Sequence, residues 1–129
     1  RYSYTSLVTP PSTFELDVRT GARRLLKEQP VLGGFDRANY VTERLWAPAR
    51  DGAKVPVSLV YRKGFAKDGS GALLVTGYGS YGFNYEPWFN ANAISLLDRG
   101  VAFAIAHVRG GQELGRDWYE NGRLLDKKN

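Results

Sequence analysis

Cysteine and methionine are absent from this chain of 129 residues, and histidine occurs once, at position 107. Without cysteine the chain has neither disulfide bonds nor thiolate metal ligands, and composition leaves the redox compartment open. One histidine with scattered carboxylates is too small a ligand set to indicate a metal site, so we expect no metal or other cofactor. Because the chain lacks methionine and begins with Arg1, we expect a piece of a longer polypeptide.

Long apolar runs are also missing. No stretch approaches the roughly 18 consecutive apolar residues of a membrane-spanning helix, and no basic, apolar and small-residue succession marks a signal peptide. We therefore expect no membrane partner. We expect the cytoplasm as the compartment, with the periplasm as the alternative.

The net charge of +5 at neutral pH is a weak argument for a nucleic-acid partner. Basic residues are spread along the chain and form only small clusters, at residues 62–63 and 126–129. A nucleic-acid-binding helix would carry a basic stripe interleaved with aromatic residues, and no such pattern is present. Solvated surface charge explains the composition better, and we expect no nucleic-acid partner.

The first part of the chain has the pattern of short antiparallel strands, which suit a sandwich or a propeller blade. We expect Pro10 and Pro11 to interrupt the pattern and Thr20-Gly21 to form a turn. Residues 29–36, which hold one proline and two glycines, are typical of a linker. The predicted strands are residues 2–8, 13–18 and 22–27.

After the linker the pattern changes to one that favours an α/β fold. Asp51-Gly52 predicts a hairpin turn, and Asn92 and Gly100 are expected to begin and end a helix. The order strand, loop, helix, strand, loop, helix in the second half predicts a parallel sheet with crossover helices. The predicted strands are residues 40–47, 55–61, 72–75 and 101–106, the last two buried, and the predicted helices are residues 92–99 and 113–121.

The loop at residues 77–83, with the sequence GYGSYGF, follows a predicted buried strand. Its three glycines let the backbone turn sharply and approach a ligand, and Tyr78 and Tyr81 supply hydroxyl donors and aromatic faces. In α/β hydrolases the loop after the third strand forms part of the oxyanion hole. The loop is therefore a candidate for part of an acyl-transfer site.

A nucleophile for such a site is not recognisable in the chain. Ser80 does not fit the G-x-S-x-G elbow, because position 78 is tyrosine, and Ser70 fails because Asp68 precedes it. The single histidine, His107, ends a predicted apolar strand, and a structural role is favoured over a catalytic one. The residues alone give no Ser-His-Asp triad.

Several motifs together resemble the prolyl oligopeptidase family of serine peptidases, in particular its oligopeptidase B (protease II) branch. The resemblance covers nearly the whole chain. The motifs are residues 50–61 (RDGAKVPVSLVY), 77–82 (GYGSYG), 95–100 (SLLDRG), 107–115 (HVRGGQELG) and 118–119 (WY).

The resemblance implies an α/β fold: the N-terminal part of an α/β-hydrolase domain, preceded by antiparallel strands from the end of a β-propeller. Residues 1–30 would be the last propeller strands, residues 31–39 a hinge, and residues 40–129 the start of the peptidase domain. The catalytic serine, aspartate and histidine would lie outside this chain. The parent would cleave short peptides after arginine or lysine, and its propeller would exclude large folded proteins.

The resemblance also implies roles for individual residues. Tyr78 would donate its hydroxyl to the oxyanion, the alternative being that its ring only packs. Tyr81 would form a wall of the substrate pocket, where an aromatic face suits a cationic side chain, although simple packing is a close alternative. Arg109, Glu113 and Trp118 would lie at the rim of the active site, where ordering the loop is favoured over contact with substrate.

Two further expectations follow if the rest of the hydrolase domain, with its nucleophile and its later strands, lies outside this chain. The isolated chain would be inactive, and the competing hypothesis is that it serves as a non-catalytic domain or binding module. The strand at residues 72–75 would also have an unpaired edge, which predicts self-association of the isolated chain.

Overall fold

A computed structural model describes residues 1–127, which form two β-sheets and two short α-helices. The last two residues of the basic cluster at 126–129 lie outside the described residues. The first sheet has three strands in the order β1-β2-β3, and the second has four in the order β4-β5-β7-β6. The elements are β1 (Tyr2–Ser6), β2 (Thr9–Leu16), β3 (Arg23–Glu28), β4 (Tyr40–Pro48), β5 (Lys54–Arg62), β6 (Leu73–Thr76), α1 (Ala91–Asp98), β7 (Ala102–Ala106) and α2 (Arg116–Glu120), with single 3₁₀ turns at Arg37–Asn39 and Leu124–Asp126.

The first sheet is antiparallel, as predicted, but the predicted break at Pro10 and Pro11 is wrong. Both prolines lie inside β2, the central strand. The chain reverses before them, because Ser6 already pairs with Thr9. The prolines are tolerated because β1 has a register irregularity beside them and β3 pairs with β2 only from Ser12 onward.

The second sheet begins with the predicted hairpin. β4 and β5 pair without irregularity from Tyr40 opposite Arg62 to Pro48 opposite Lys54. Pro56 lies near the start of β5, as predicted. Its carbonyl accepts from the backbone N–H of His107 at 2.9 Å. The proline nitrogen lies on the same side of the strand, beyond the end of β7, where the sheet needs no backbone N–H donor.

Strands β6 and β7 are parallel, in register from Leu73 opposite Ala102 to Thr76 opposite Ile105. β7 is buried between β5 and β6, which confirms that prediction. The expected burial of residues 72–75 is wrong. β6 is an edge strand, and its residues 73–75 are about half exposed because no described residue covers its free side.

Helix α1 begins one residue earlier than expected, at Ala91. Asn90, and not Asn92, is the N-cap, since its side chain accepts the N–H of Asn92 at 3.0 Å. Gly100 ends the helix with a φ of +81°, and Val101 N–H reaches back to Leu96 C=O at 3.1 Å. Within residues 1–127 neither α-helix has the length and apolar character needed to cross a membrane.

The two sheets share part of one hydrophobic core. Leu7, in the turn between β1 and β2, is 8% exposed and packs with the buried residues of the second sheet and α1. The backbone N–H of Phe89 also donates to Thr5 Oγ1 at 3.2 Å. The first sheet is therefore attached by packing as well as by the segment at residues 29–39. The cluster around Leu7 consists of Tyr40, Val60, Ile94, Leu97 and Ile105.

The exposed edge of β6 predicts that the isolated 129-residue chain associates with itself. Unpaired backbone groups beside half-exposed apolar side chains pair readily with another strand. Leu74→Lys should reduce association in light scattering, because a lysine on the edge opposes pairing. Leu125→Lys, at a residue that is 89% exposed outside any strand, is the control. A wild-type chain that stays monomeric at high concentration would contradict this expectation.

Candidate active site

Tyr78 lies just after the carboxyl end of β6, beside the end of the parallel strand β7. The carboxyl ends of parallel strands are where ligand sites of α/β folds are commonly built. The side chain is 49% exposed, and its ring packs edge-on against Phe83 with 5.8 Å between centroids. Among the described residues none forms a hydrogen bond with its hydroxyl, which can therefore serve a bound molecule.

Two loops meet at this edge: the β6 loop (residues 77–90, between β6 and α1) and the β7 loop (residues 107–115, between β7 and α2). Gly82 N–H donates to Gly110 C=O at 2.8 Å. Gln112 donates its backbone N–H to Asn84 Oδ1 at 3.0 Å and its side-chain amide to Gly82 C=O at 3.3 Å. These hydrogen bonds hold the loop that carries Tyr78 against its neighbour.

Glycine is required where these loops touch. Gly110 has a φ of +101°, and a side chain there would strike the carbonyl of Gly79. A side chain at Gly79 would come within 2.8 Å of Arg109 C=O. The ammonium of Lys127 joins the same two loops by donating to Gly79 C=O and, at 2.7 Å, to Arg109 C=O. Partial burial lowers the pKa of Lys127.

Tyr81 adopts a left-handed backbone conformation, with a φ of +55°, and its side chain is 87% exposed. Non-glycine residues pay for this conformation, and it recurs at functional sites. The residue lines a cleft of about 230 Å³ beside the β6 loop. Its role as a pocket wall stays a prediction. The other lining residues are Ser80, Gly110, Tyr119, Gly122, Arg123, Leu124 and Lys127.

Arg109 is engaged with neighbouring residues of the chain. Its guanidinium forms an ion pair with Asp51 at 2.6 Å, in the turn between β4 and β5, and lies 6.0 Å from the ring of Trp118. The backbone N–H of Ala53 and then Arg109 hold the pKa of Asp51 below its ordinary value. These contacts favour a role for Arg109 in ordering the loop. Contact of Arg109 with substrate stays a prediction.

Beneath the loops a group of polar residues crosses the second sheet from Arg44, which is exposed, to Ser58, His107 and Glu113, whose side chains are buried. Arg44 on β4 donates to Ser58 Oγ on β5 at 2.7 Å. Ser58 Oγ lies 2.9 Å from Nε2 of His107, and Nδ1 of His107 lies 3.6 Å from Oε1 of Glu113. The same Glu113 oxygen accepts the backbone N–H of Tyr85 in the β6 loop at 3.1 Å.

Ser58, His107 and Glu113 resemble a catalytic triad in sequence of contacts, but they are inaccessible to substrate. Ser58 is 7% exposed, and the side chains of His107 and Glu113 are 3% and 9% exposed. Ser58 also lies in β5, an interior strand of the second sheet. The structural role predicted for His107 therefore fits its surroundings. Sequence reasoning missed the parts played by Arg44, Ser58 and Lys127.

The sequence model described as the prolyl oligopeptidase family matches residues 87–129. The chain is 58% identical over 130 aligned residues to dipeptidyl aminopeptidase BI of Pseudoxanthomonas mexicana, and 45% identical over 126 residues to protease 2 of Moraxella lacunata. These alignments cover 100% and 98% of this chain. Oligopeptidase B from Trypanosoma brucei, solved with covalently bound antipain, superposes with a TM-score of 0.86 at 46% identity over 98% of the chain.

The chain belongs to the prolyl oligopeptidase family. It spans 18% of the length of each of these three relatives. Its mostly β architecture with few helices matches the prolyl oligopeptidase and oligopeptidase B fold. The identity predicted from the motifs at residues 77–82 and 107–115 is thereby confirmed.

In this member of the prolyl oligopeptidase family the pKa of His107 lies below its ordinary value. Burial lowers its pKa most, the positive charge of Arg44 lowers it further, and Glu113 opposes the shift. The carboxylate of Glu113 favours a proton on Nδ1, which leaves Nε2 as an acceptor for the hydroxyl of Ser58. Ser58 in turn accepts from Arg44 at 2.7 Å.

Gly110→Ala should loosen the β6 loop in the full-length protein that contains this chain. The added methyl group would strike Gly79 C=O and push the two loops apart. Hydrogen–deuterium exchange at residues 77–85 should rise. Gly100→Ala is the matched control, because its φ of +81° carries similar backbone strain in open space. Equal exchange in the two variants would contradict the requirement for glycine.

Stability should fall on acidification through the pH range below about 6.5, the ordinary histidine pKa. The folded-state pKa of His107 is lowered, so the unfolded chain binds a proton there before the folded chain does. His107 therefore contributes stability above the unfolded pKa, and that contribution is lost as pH falls through the folded one. Urea unfolding of wild type and His107→Asn at several pH values should give a shallower slope for the variant. Parallel slopes would refute the assignment.

Proposed function

We propose that this chain is part of a serine-type oligopeptidase that hydrolyses short peptides after arginine or lysine. Family membership supports the reaction class. The observation that carries the proposal is Tyr78, which presents an unpartnered hydroxyl from a glycine-rich loop at the carboxyl end of a parallel strand. The catalytic serine, aspartate and histidine are proposed to lie outside this chain, because Ser58 and His107 are buried.

In the proposed mechanism Tyr78 donates its hydroxyl to the oxyanion of the tetrahedral intermediate. The resemblance pairs it with the backbone N–H that follows the catalytic serine. A donor fixed in place before the reaction stabilises the developing charge without reorganisation, and one such donor is worth about 2.7–4 kcal/mol. The hydrogen bonds between the β6 and β7 loops would supply that fixed position.

We propose the domain organisation that the sequence predicts. Residues 1–30 would be the last strands of a propeller, residues 31–39 a hinge, and residues 40–129 the start of the α/β-hydrolase domain. Two separate sheets on either side of the hinge segment support this division. Leu7, buried in the core of the second sheet, would form part of the interface between the domains.

The proposed preference for basic residues rests on Tyr81. Its exposed ring could cover the stem and charge of an arginine or lysine side chain, a contact worth about 0.5–1 kcal/mol at exposed sites. The residues that would pair with the charge are proposed to lie outside this chain.

A second candidate activity is the removal of dipeptides from the amino terminus of substrates. The relative with 58% identity is named a dipeptidyl aminopeptidase, whereas the relative with 45% identity is named protease 2. The chain is thus similar to one relative named for the removal of dipeptides and to another named only as a protease.

Tyr78→Phe in the full-length protein should lower kcat/KM for peptide amides by about 100-fold, because it removes one oxyanion donor. Tyr4→Phe is the control, since Tyr4 is similarly exposed, at 51%, and lies on β1. An unchanged kcat/KM in Tyr78→Phe would exclude the oxyanion role.

The isolated chain should not react with a fluorophosphonate probe, and labelling of it would show that a reactive serine lies within these residues.

Substrate preference should separate the two modes of cleavage. The proposal predicts that a fluorogenic amide of amino-blocked arginine is hydrolysed faster than the same amide of amino-blocked leucine. If removal of dipeptides is the main activity, only dipeptide amides with a free amino group will be cleaved efficiently. The hydrolysis rates of the two blocked amides and of dipeptide amides with a free amino group, measured side by side, decide between these modes.

A further inference from the structure

The polar group beneath the site, which is buried at Ser58, His107 and Glu113, ends on the loop that carries Tyr78. It passes through Arg44, Ser58, His107 and Glu113, and it finishes at the backbone N–H of Tyr85. These residues lie on β4, on β5, in the β7 loop and in the β6 loop. The group therefore connects β4, an edge strand of the second sheet, with the β6 loop.

We propose that Glu113 is a positioning residue for Tyr78, and that His107 holds Glu113 in place. This inference rests on the proposed function, in which Tyr78 is the oxyanion donor. The carboxylate of Glu113 fixes Tyr85 N–H at 3.1 Å. Tyr85 is two residues beyond Phe83, whose ring supports the ring of Tyr78.

The space for this carboxylate is provided by Gly111. A Cβ at that position would lie 2.9 Å from Cδ of Glu113, so any other residue would displace the carboxylate. The side chain is turned inward although the neighbouring Gln112 and Leu114 are exposed. Glu113 lies outside α2, which begins at Arg116 after Gly115 and not at position 113 as the sequence predicted.

A carboxylate fits this position better than an amide. One Glu113 oxygen accepts the N–H of Tyr85 at 3.1 Å and lies 3.6 Å from Nδ1 of His107, which has no hydrogen-bond partner among the described residues. A carboxylate strengthens the hydrogen bond from Tyr85 by its charge, and it favours a proton on the nearby Nδ1. A glutamine would keep the size, but it would lose the charge and bring an NH₂ group into a site that already holds donors.

The test is a double-mutant cycle in the full-length protein with Glu113→Gln, Tyr78→Phe and the double variant. Glu113→Gln should lower kcat by about tenfold, the scale of a small misplacement of a catalytic group, and change KM by less than about twofold. The double variant should be no slower than Tyr78→Phe alone. Glu120→Gln is the control, because Glu120 pairs with Arg116 and Arg123 on the protein surface.

The outcomes separate this inference from the proposed function. Unchanged kcat in Glu113→Gln, or independent losses that multiply in the double variant, would overturn the positioning role. A silent Tyr78→Phe would overturn the oxyanion role. In that case hydrogen–deuterium exchange at residues 77–85 decides the positioning question: a rise in Glu113→Gln supports it and no change refutes it. Glu113→Asp, which keeps the charge, should lie between wild type and Glu113→Gln, and it replaces Glu113→Gln if that variant does not fold.

Discussion

The proposed site depends on the contact between the β6 and β7 loops, where Gly82 N–H donates to Gly110 C=O. Parallel pairing of β6 and β7 brings the two loops to the same edge of the sheet, and glycine at positions 79 and 110 lets their backbones touch. Tyr78 lies between these contacts and the strand end. Its hydroxyl is therefore carried by a backbone that is fixed on both sides, as an oxyanion donor requires.

The buried polar residues serve this contact from below. Burying Ser58, His107 and Glu113 near one another costs free energy unless their polar atoms meet partners, and the exposed Arg44 supplies one by donating to Ser58 Oγ. Nε2 of His107 meets Ser58 Oγ at 2.9 Å, whereas Nδ1 of His107 and Oε2 of Glu113 have no hydrogen-bond partner among the described residues. Serine, histidine and an acidic residue also form the triad of serine hydrolases. The burial of Ser58 and His107 distinguishes their structural role from a catalytic one.

The sequence was sufficient where local patterns and fold agree. The hairpin around Asp51-Gly52, the parallel pair of β6 and β7, and the motifs of the family were all predicted correctly. Errors arose where tertiary neighbours decide. Pro10 fits inside β2 because it has no paired residue in either β1 or β3. Asn90 is the N-cap of α1 in place of Asn92. No local pattern indicates that Glu113 turns inward, although glycine at position 111 is a signal in retrospect.

The position of the Tyr78 hydroxyl in an acyl-enzyme mimic tests the account most directly. The measurement is a crystal structure of the full-length protein with a peptide aldehyde bound covalently to its catalytic serine. We predict that Tyr78 Oη lies about 2.5–3.0 Å from the oxyanion, with the Gly82–Gly110 and Glu113–Tyr85 hydrogen bonds intact. A Tyr78 hydroxyl directed away from that oxygen, while another donor occupies its place, would contradict the account.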